Sequence, residues 1–152
     1  MYRINRKIEY ALMALKQMSL KMPGELTTAK EVSDRLKTPF DATARVMQIM
    51  ASKGLLRSEH GATGGYQITK DLAKVNLYDL VEMIEGPQSL VKCIQDSPED
   101  VCEMQKTCNI ATPLALLNQK MNEFYRGVNI RDLLGEPSSK TPRRQNEEVT
   151  LG

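Results

Sequence analysis

Apolar residues recur with helical spacing at Ile8, Ala11, Leu12, Leu15, Met18 and Met22, behind Asn5 as a candidate cap, and the turn MPGEL closes the segment. A shorter helix is predicted in TTAKEVSDRLK, where Thr28 and Glu31 make a capping box and Ala29, Val32 and Leu36 form the inward stripe. Thr38 then caps a third helix with Pro39 in its first position, Val46, Met47 and Met50 facing inward, and Gly54 ending it. Two short helices joined by a tight turn predict a helix-turn-helix. The period then changes. LLRS and YQIT are strand-like runs on either side of EHGATGG, whose Gly61, Gly64 and Gly65 permit a tight hairpin, so a wing is expected.

Asn76 is placed to cap a fourth helix with Leu77, Leu80, Val81 and Ile84 on one side, which Gly86-Pro87 stops. After a cysteine-bearing loop, Thr112 and Pro113 begin a longer helix whose Leu114, Leu117, Met121, Phe124 and Val128 make a continuous apolar stripe that must be covered. Asn129 caps a final turn, NIRDLL, and the tail EPSSKTPRRQNEEVTLG is too polar to build a core and is expected to be disordered. The expected fold class is therefore mainly α: a winged helix-turn-helix with a small two-stranded wing and a long C-terminal helix. The expected domains are 1–75 for the winged unit, 76–134 for the cysteine loop and long helix, and 135–152 for the tail.

With 152 residues, 41% of them hydrophobic, the chain is long enough to build a real core without disulfides. It has no apolar run of membrane-spanning length and no signal-peptide core, so a soluble, cytoplasmic protein with no membrane partner is expected. A net charge of +2 conceals an asymmetry: residues 1–75 carry 13 Lys and Arg against 7 Asp and Glu, and residues 76–152 carry 8 against 12. A basic first half points to a polyanionic partner, although uneven solvated charge gives the same totals.

Double-stranded DNA is the polyanion that a helix-turn-helix meets. A recognition helix presents short or polar side chains from its N-terminus to base edges and phosphates, and here those are Thr38, Asp41, Thr43 and Arg45. Thr28 and Lys30, at the start of the preceding helix, are placed for backbone oxygens. In the wing, Arg57 and the only histidine, His60, are candidates for a minor groove. Each of these side chains is equally at home as a solvated surface residue. No nucleophile with a base, no phosphate-binding glycine motif and no suitably placed histidine is present, which argues against an enzyme.

The three cysteines stand as Cys93-x8-Cys102-x5-Cys108. Structural zinc favours paired Cys-x-x-Cys knuckles or a matching histidine pair, and neither occurs. Three thiolates within 16 residues suit an iron-sulfur cluster with one corner left for another ligand, 4Fe-4S in preference to 2Fe-2S. Three unliganded cysteines acting as small hydrophobes remain the alternative.

Over roughly residues 2 to 134 the chain resembles the IscR, NsrR and RirA family of winged-helix iron-sulfur regulators. The resemblance is carried by INRKIEYAL, GATGGYQIT, NLYDLVEMIEGP, the three cysteines after it, and the helix ending in NIRDLL. It implies a homodimer joined through the helix around 113 to 127, each winged domain reading half of a pseudo-palindromic operator. It also implies regulation by nitric oxide, iron or redox state through the cluster; a cluster-free regulator using cysteine oxidation or a protein partner is the alternative. Ala111 replaces the histidine that completes an IscR-like cluster, which excludes that ligand set. The position matching the carboxylate of NsrR-like members, supplied by the partner subunit, is Glu9. The x8 gap sits nearer RirA, and Ala42-Thr43 replace a bulky pair in the recognition helix, so no operator sequence is implied.

Overall fold

The computed structural model describes residues 4–91, 103–104 and 106–135. Six α-helices and one two-stranded sheet make up these residues: α1 Arg6–Ser19, α2 Ala29–Leu36, α3 Phe40–Ser52, β1 Leu56–Glu59, β2 Gly65–Ile68, α4 Leu77–Glu85, α5 Ala111–Arg126 and α6 Ile130–Leu133. A 3-10 turn, Leu72–Lys74, precedes α4. The order is that of a winged helix-turn-helix, mainly helical as expected.

Local chemistry sets most of the boundaries. The side-chain oxygens of Asn5, Thr28, Asn76 and Asn129 accept backbone N–H bonds from Lys7, Glu31, Asp79 and Asp132, satisfying donors that a helix start leaves open. The Glu31 carboxylate does not complete a reciprocal box. It pairs with Lys21 Nζ at 2.7 Å, and Lys21 also donates to the Leu26 carbonyl, which ties the connection between α1 and α2 to α2 itself. At α3 the cap shifts by one residue from that expected: Pro39 is the cap and Phe40 the first helical residue, while the Thr38 hydroxyl turns inward to Thr43. Met22, expected on the first helical stripe, lies beyond the end of α1 and is exposed. Lys37 turns the chain between α2 and α3 at φ 57°, a left-handed conformation ordinarily left to glycine.

The wing is an antiparallel hairpin in the register Leu56 to Ile68 through Glu59 to Gly65. It is anchored at two places. Thr69 donates its N–H and hydroxyl to the Leu55 carbonyl, and Tyr66 exchanges N–H···O bonds of 2.8 and 2.9 Å with Thr27 in the segment leading to α2. At Gly65, φ 153°, a Cβ would stand 3.1 Å from both the Leu26 Cβ and the Thr27 carbonyl oxygen, so this close approach requires glycine.

The core gathers Ile8, Leu15, Val32, Met47, Met50, Leu55 and Leu80, all inaccessible or nearly so, each contributing about 1.5–3 kcal/mol by removal from water. The boundary expected at residue 75 does not separate two cores, because Leu77, Leu80, Ile84, Ile130 and Leu134 belong to the same buried cluster. Helix α6 is bound back to the start of α4 by Leu77 N–H to Val128 O and Ile130 N–H to Val75 O, and by the Arg131–Asp71 ion pair. Helix α5 behaves differently: none of its residues is buried, and Leu116, Leu117 and Phe124 are exposed. The expected disordered tail lies outside the described residues, apart from Gly135.

Candidate nucleic-acid interface

Helices α2 and α3 carry the first set of candidates. Thr28 is exposed, and its oxygen already accepts the Glu31 N–H, which leaves the hydroxyl hydrogen for an acceptor such as a phosphate. Lys30 and Arg45 are exposed and make no ion pair among the described residues, and Asp41 is exposed in the first turn of α3. An uncommitted guanidinium in the first half of α3 keeps all its donors for phosphate or a guanine edge.

Thr43 is a correction. Its side chain is 1% exposed, its hydroxyl donates to the Pro39 carbonyl at 2.8 Å, and its oxygen meets the Thr38 hydroxyl at 2.7 Å. Because the Thr43 proton is committed to Pro39, Thr38 must donate to Thr43. The pair fastens the start of α3 internally: Thr43 is not presented to DNA, and half-buried Thr38 offers only acceptor lone pairs. The sequence held no sign of this beyond the i to i+4 reach of a threonine hydroxyl within a helix. Sequence reasoning also missed Phe40 and Gln48, both exposed on α3.

The wing supplies the second set. Arg57 is exposed and pairs with Glu59 at 2.9 Å along β1, and its guanidinium faces the Gln67 amide across the strand pair. His60 is exposed at the start of the hairpin loop. Gln48 and Ser52 of α3 and Arg57, Ser58, His60 and Tyr66 of the wing line one open groove. The second half of α3 and the wing therefore share a surface.

The cysteine constellation lies between α4 and α5. Cys93 and Cys102 are outside the described residues. Cys108 is a free, half-buried thiol just ahead of Ala111, the first residue of α5. Glu9 sits in the first turn of α1, where its carboxylate accepts from Arg6 at 3.0 Å and remains 44% exposed. Among the described residues no three His, Cys, Asp or Glu side chains converge as a metal site within one chain. A half-buried thiol with two further thiols upstream nonetheless suits the soft-donor chemistry of iron-sulfur ligation.

The model of the Rrf2 family, described as iron-dependent transcriptional regulators, matches residues 4–136. A helix-turn-helix regulator of Aquifex aeolicus is 25% identical, over 84% of this chain and 88% of its own length. NsrR of Shouchella clausii is 22% identical over 67% of this chain and 68% of its own. Among solved structures, CymR, the global cysteine regulator of B. subtilis, covers 91% of this chain and 100% of its own with a TM-score of 0.67 at 20% identity. IscR of T. potens covers 93% of each chain with a TM-score of 0.63 at 14% identity. These structural likenesses establish the winged-helix fold.

Proposed function

The chain belongs to the Rrf2 family of winged-helix transcriptional regulators, which are not enzymes, and on that premise we propose that it is a homodimeric DNA-binding regulator sensing through an iron-sulfur cluster held by Cys93, Cys102 and Cys108. One observation carries the DNA half of this reading: Arg45, on the second helix of the helix-turn-helix, is exposed with no ion-pair partner among the described residues. Thr28 and Lys30 are assigned to backbone phosphates, Asp41 and Arg45 to base edges, and Arg57 and His60 to the groove beside the wing. The dimer reading is supported by α5, a sixteen-residue helix that buries none of its side chains and leaves Leu116, Leu117 and Phe124 exposed. A second copy laid along it covers that surface and spaces two reading heads for a pseudo-palindromic operator.

A cluster on these thiolates supplies a centre that responds to nitric oxide, oxidants or iron supply. The chain supplies the transmission. Helix α4 ends at Glu85, just before the cysteine segment, and packs against both α1 and α3, while Cys108 leads directly into α5. Ligation by Cys93, Cys102 and Cys108 would tie the end of α4 to the start of α5, and its loss would leave both helices freer to move relative to α3. Glu9 of the partner subunit is our candidate fourth donor; Arg6 engages one of its two carboxylate oxygens.

The cysteine-oxidation reading has two observations in its favour: Cys108 is a free, half-buried thiol, and an oxidised form of Staphylococcus aureus CymR is among the similar structures, with a TM-score of 0.63 at 17% identity. Anaerobic purification separates the two. The cluster reading expects brown protein absorbing near about 400 nm with stoichiometric iron and sulfide, and loss of both in Cys93→Ala, Cys102→Ala or Cys108→Ala. Colourless protein that forms a disulfide on mild oxidation establishes the other reading.

A further inference from the structure

The chain has two phenylalanines and no tryptophan, and it buries neither phenylalanine. Phe124 lies on α5 with exposed Leu116 and Leu117 and belongs to the uncovered face already described. Phe40 is different. It is the first residue of α3, 53% exposed, and its chain neighbours are exposed Pro39 and the carboxylate of Asp41. A single half-exposed ring is too small a patch for a protein partner, whose contact surface needs a contiguous apolar core. It fits a target that is itself a small apolar group in a polar groove. In double-stranded DNA that group is the C5 methyl of thymine, displayed in the major groove where the N-terminus of a recognition helix enters.

We propose that Phe40 is a specificity-determining residue that packs on a thymine methyl in each operator half-site, an inference that rests on the DNA-binding reading above. The start of α3 is built to hold the ring in place. Thr43 N–H and its hydroxyl both donate to the Pro39 carbonyl, at 3.0 and 2.8 Å, and Thr38 is drawn onto Thr43, so the backbone just before Phe40 is fastened from both sides. Proline at position 39 further restricts the approach to the helix. A ring on a pre-set backbone loses little freedom on meeting DNA, and exposed Arg45, further along α3, is free to make a polar contact of its own.

The test uses a duplex selected from a random-sequence pool by the wild-type full-length protein, with each thymine then replaced singly by deoxyuridine, which removes only the methyl. Wild type should lose about fourfold in affinity at one thymine per half-site, the equivalent of one buried carbon. Phe40→Ala should weaken binding to the parent duplex by about tenfold, bind random DNA as wild type does, and show no further loss on the deoxyuridine duplex. Its salt dependence should match wild type, since no charge has changed. Phe40→Leu, which keeps an apolar tip, should retain part of the thymine preference. The proposal fails if no thymine-to-deoxyuridine change distinguishes wild type from Phe40→Ala. It also fails if Phe40→Ala loses random and selected DNA equally, or changes the oligomeric state. Recovery of no duplex at all by wild type overturns the DNA-binding reading itself, a result distinct from selection of a duplex to which Phe40 is indifferent.

Discussion

Thr27 is fully buried, and among the described residues its hydroxyl has no hydrogen-bond partner, although its backbone makes both bonds to Tyr66. An unsatisfied buried hydroxyl costs about 1–3 kcal/mol, and valine preserves the β-branched shape without it. Thr27→Val should therefore raise the melting temperature by a few degrees; a lower melting temperature would mean that the hydroxyl has a partner in solution. Lys37 bears the opposite kind of cost, a left-handed backbone that glycine adopts freely. Lys37→Gly should stabilise by about 0.5–1 kcal/mol and Lys37→Val should destabilise, both read by denaturant unfolding; stabilisation by valine would place the turn elsewhere in φ. Neither residue was marked by its own sequence context. A threonine signals its hydroxyl but not where that hydroxyl points, which is also why Thr43 reads as a DNA contact from the sequence and proves to be an internal fastening.

At the scale of elements, caps and periodicity carried the reading. Asn5, Thr28, Asn76 and Asn129 start helices where the pattern places them, because a short polar side chain before an apolar stripe answers a local need that tertiary context does not alter. The 3-10 turn at Leu72–Lys74 and the bond between Thr27 and Tyr66 escaped, since the first is too short to show a period and the second joins segments distant in sequence. That bond fixes the wing relative to α2. Gly65→Ala forces a Cβ against Leu26 and Thr27 in a backbone region that disfavours side chains, at about 1–3 kcal/mol. Faster hydrogen exchange at the Thr27 and Tyr66 amides, with the α1 and α3 amides unchanged, is the expected outcome. Unaltered exchange at those two positions would show that the wing is held by other contacts.

In the molecule as a whole, one core among the described residues runs from α1 to α6, while α5 buries none of its residues, and the proposed dimer contact falls on that exposed helix. Charge and motif suggested a winged unit and a C-terminal part, but the single core that both share was not legible, because Ile130 and Leu134, which belong to it, lie far along the chain from α1. Leu117→Glu with Phe124→Glu should yield a folded monomer by sedimentation, since neither side chain is buried within one chain. A dimer that persists in this variant would remove α5 from the interface. In the proposed regulator the cysteine segment is coupled to α2 and α3. The most direct measurement is the affinity of one anaerobic preparation for its selected duplex and for random DNA, at fixed salt, before and after iron is removed by a chelator. Coupling of typical strength predicts a change of about tenfold or more on the selected duplex with random DNA unaffected. Equal affinities before and after removal, in protein shown to have carried iron and sulfide, would contradict it.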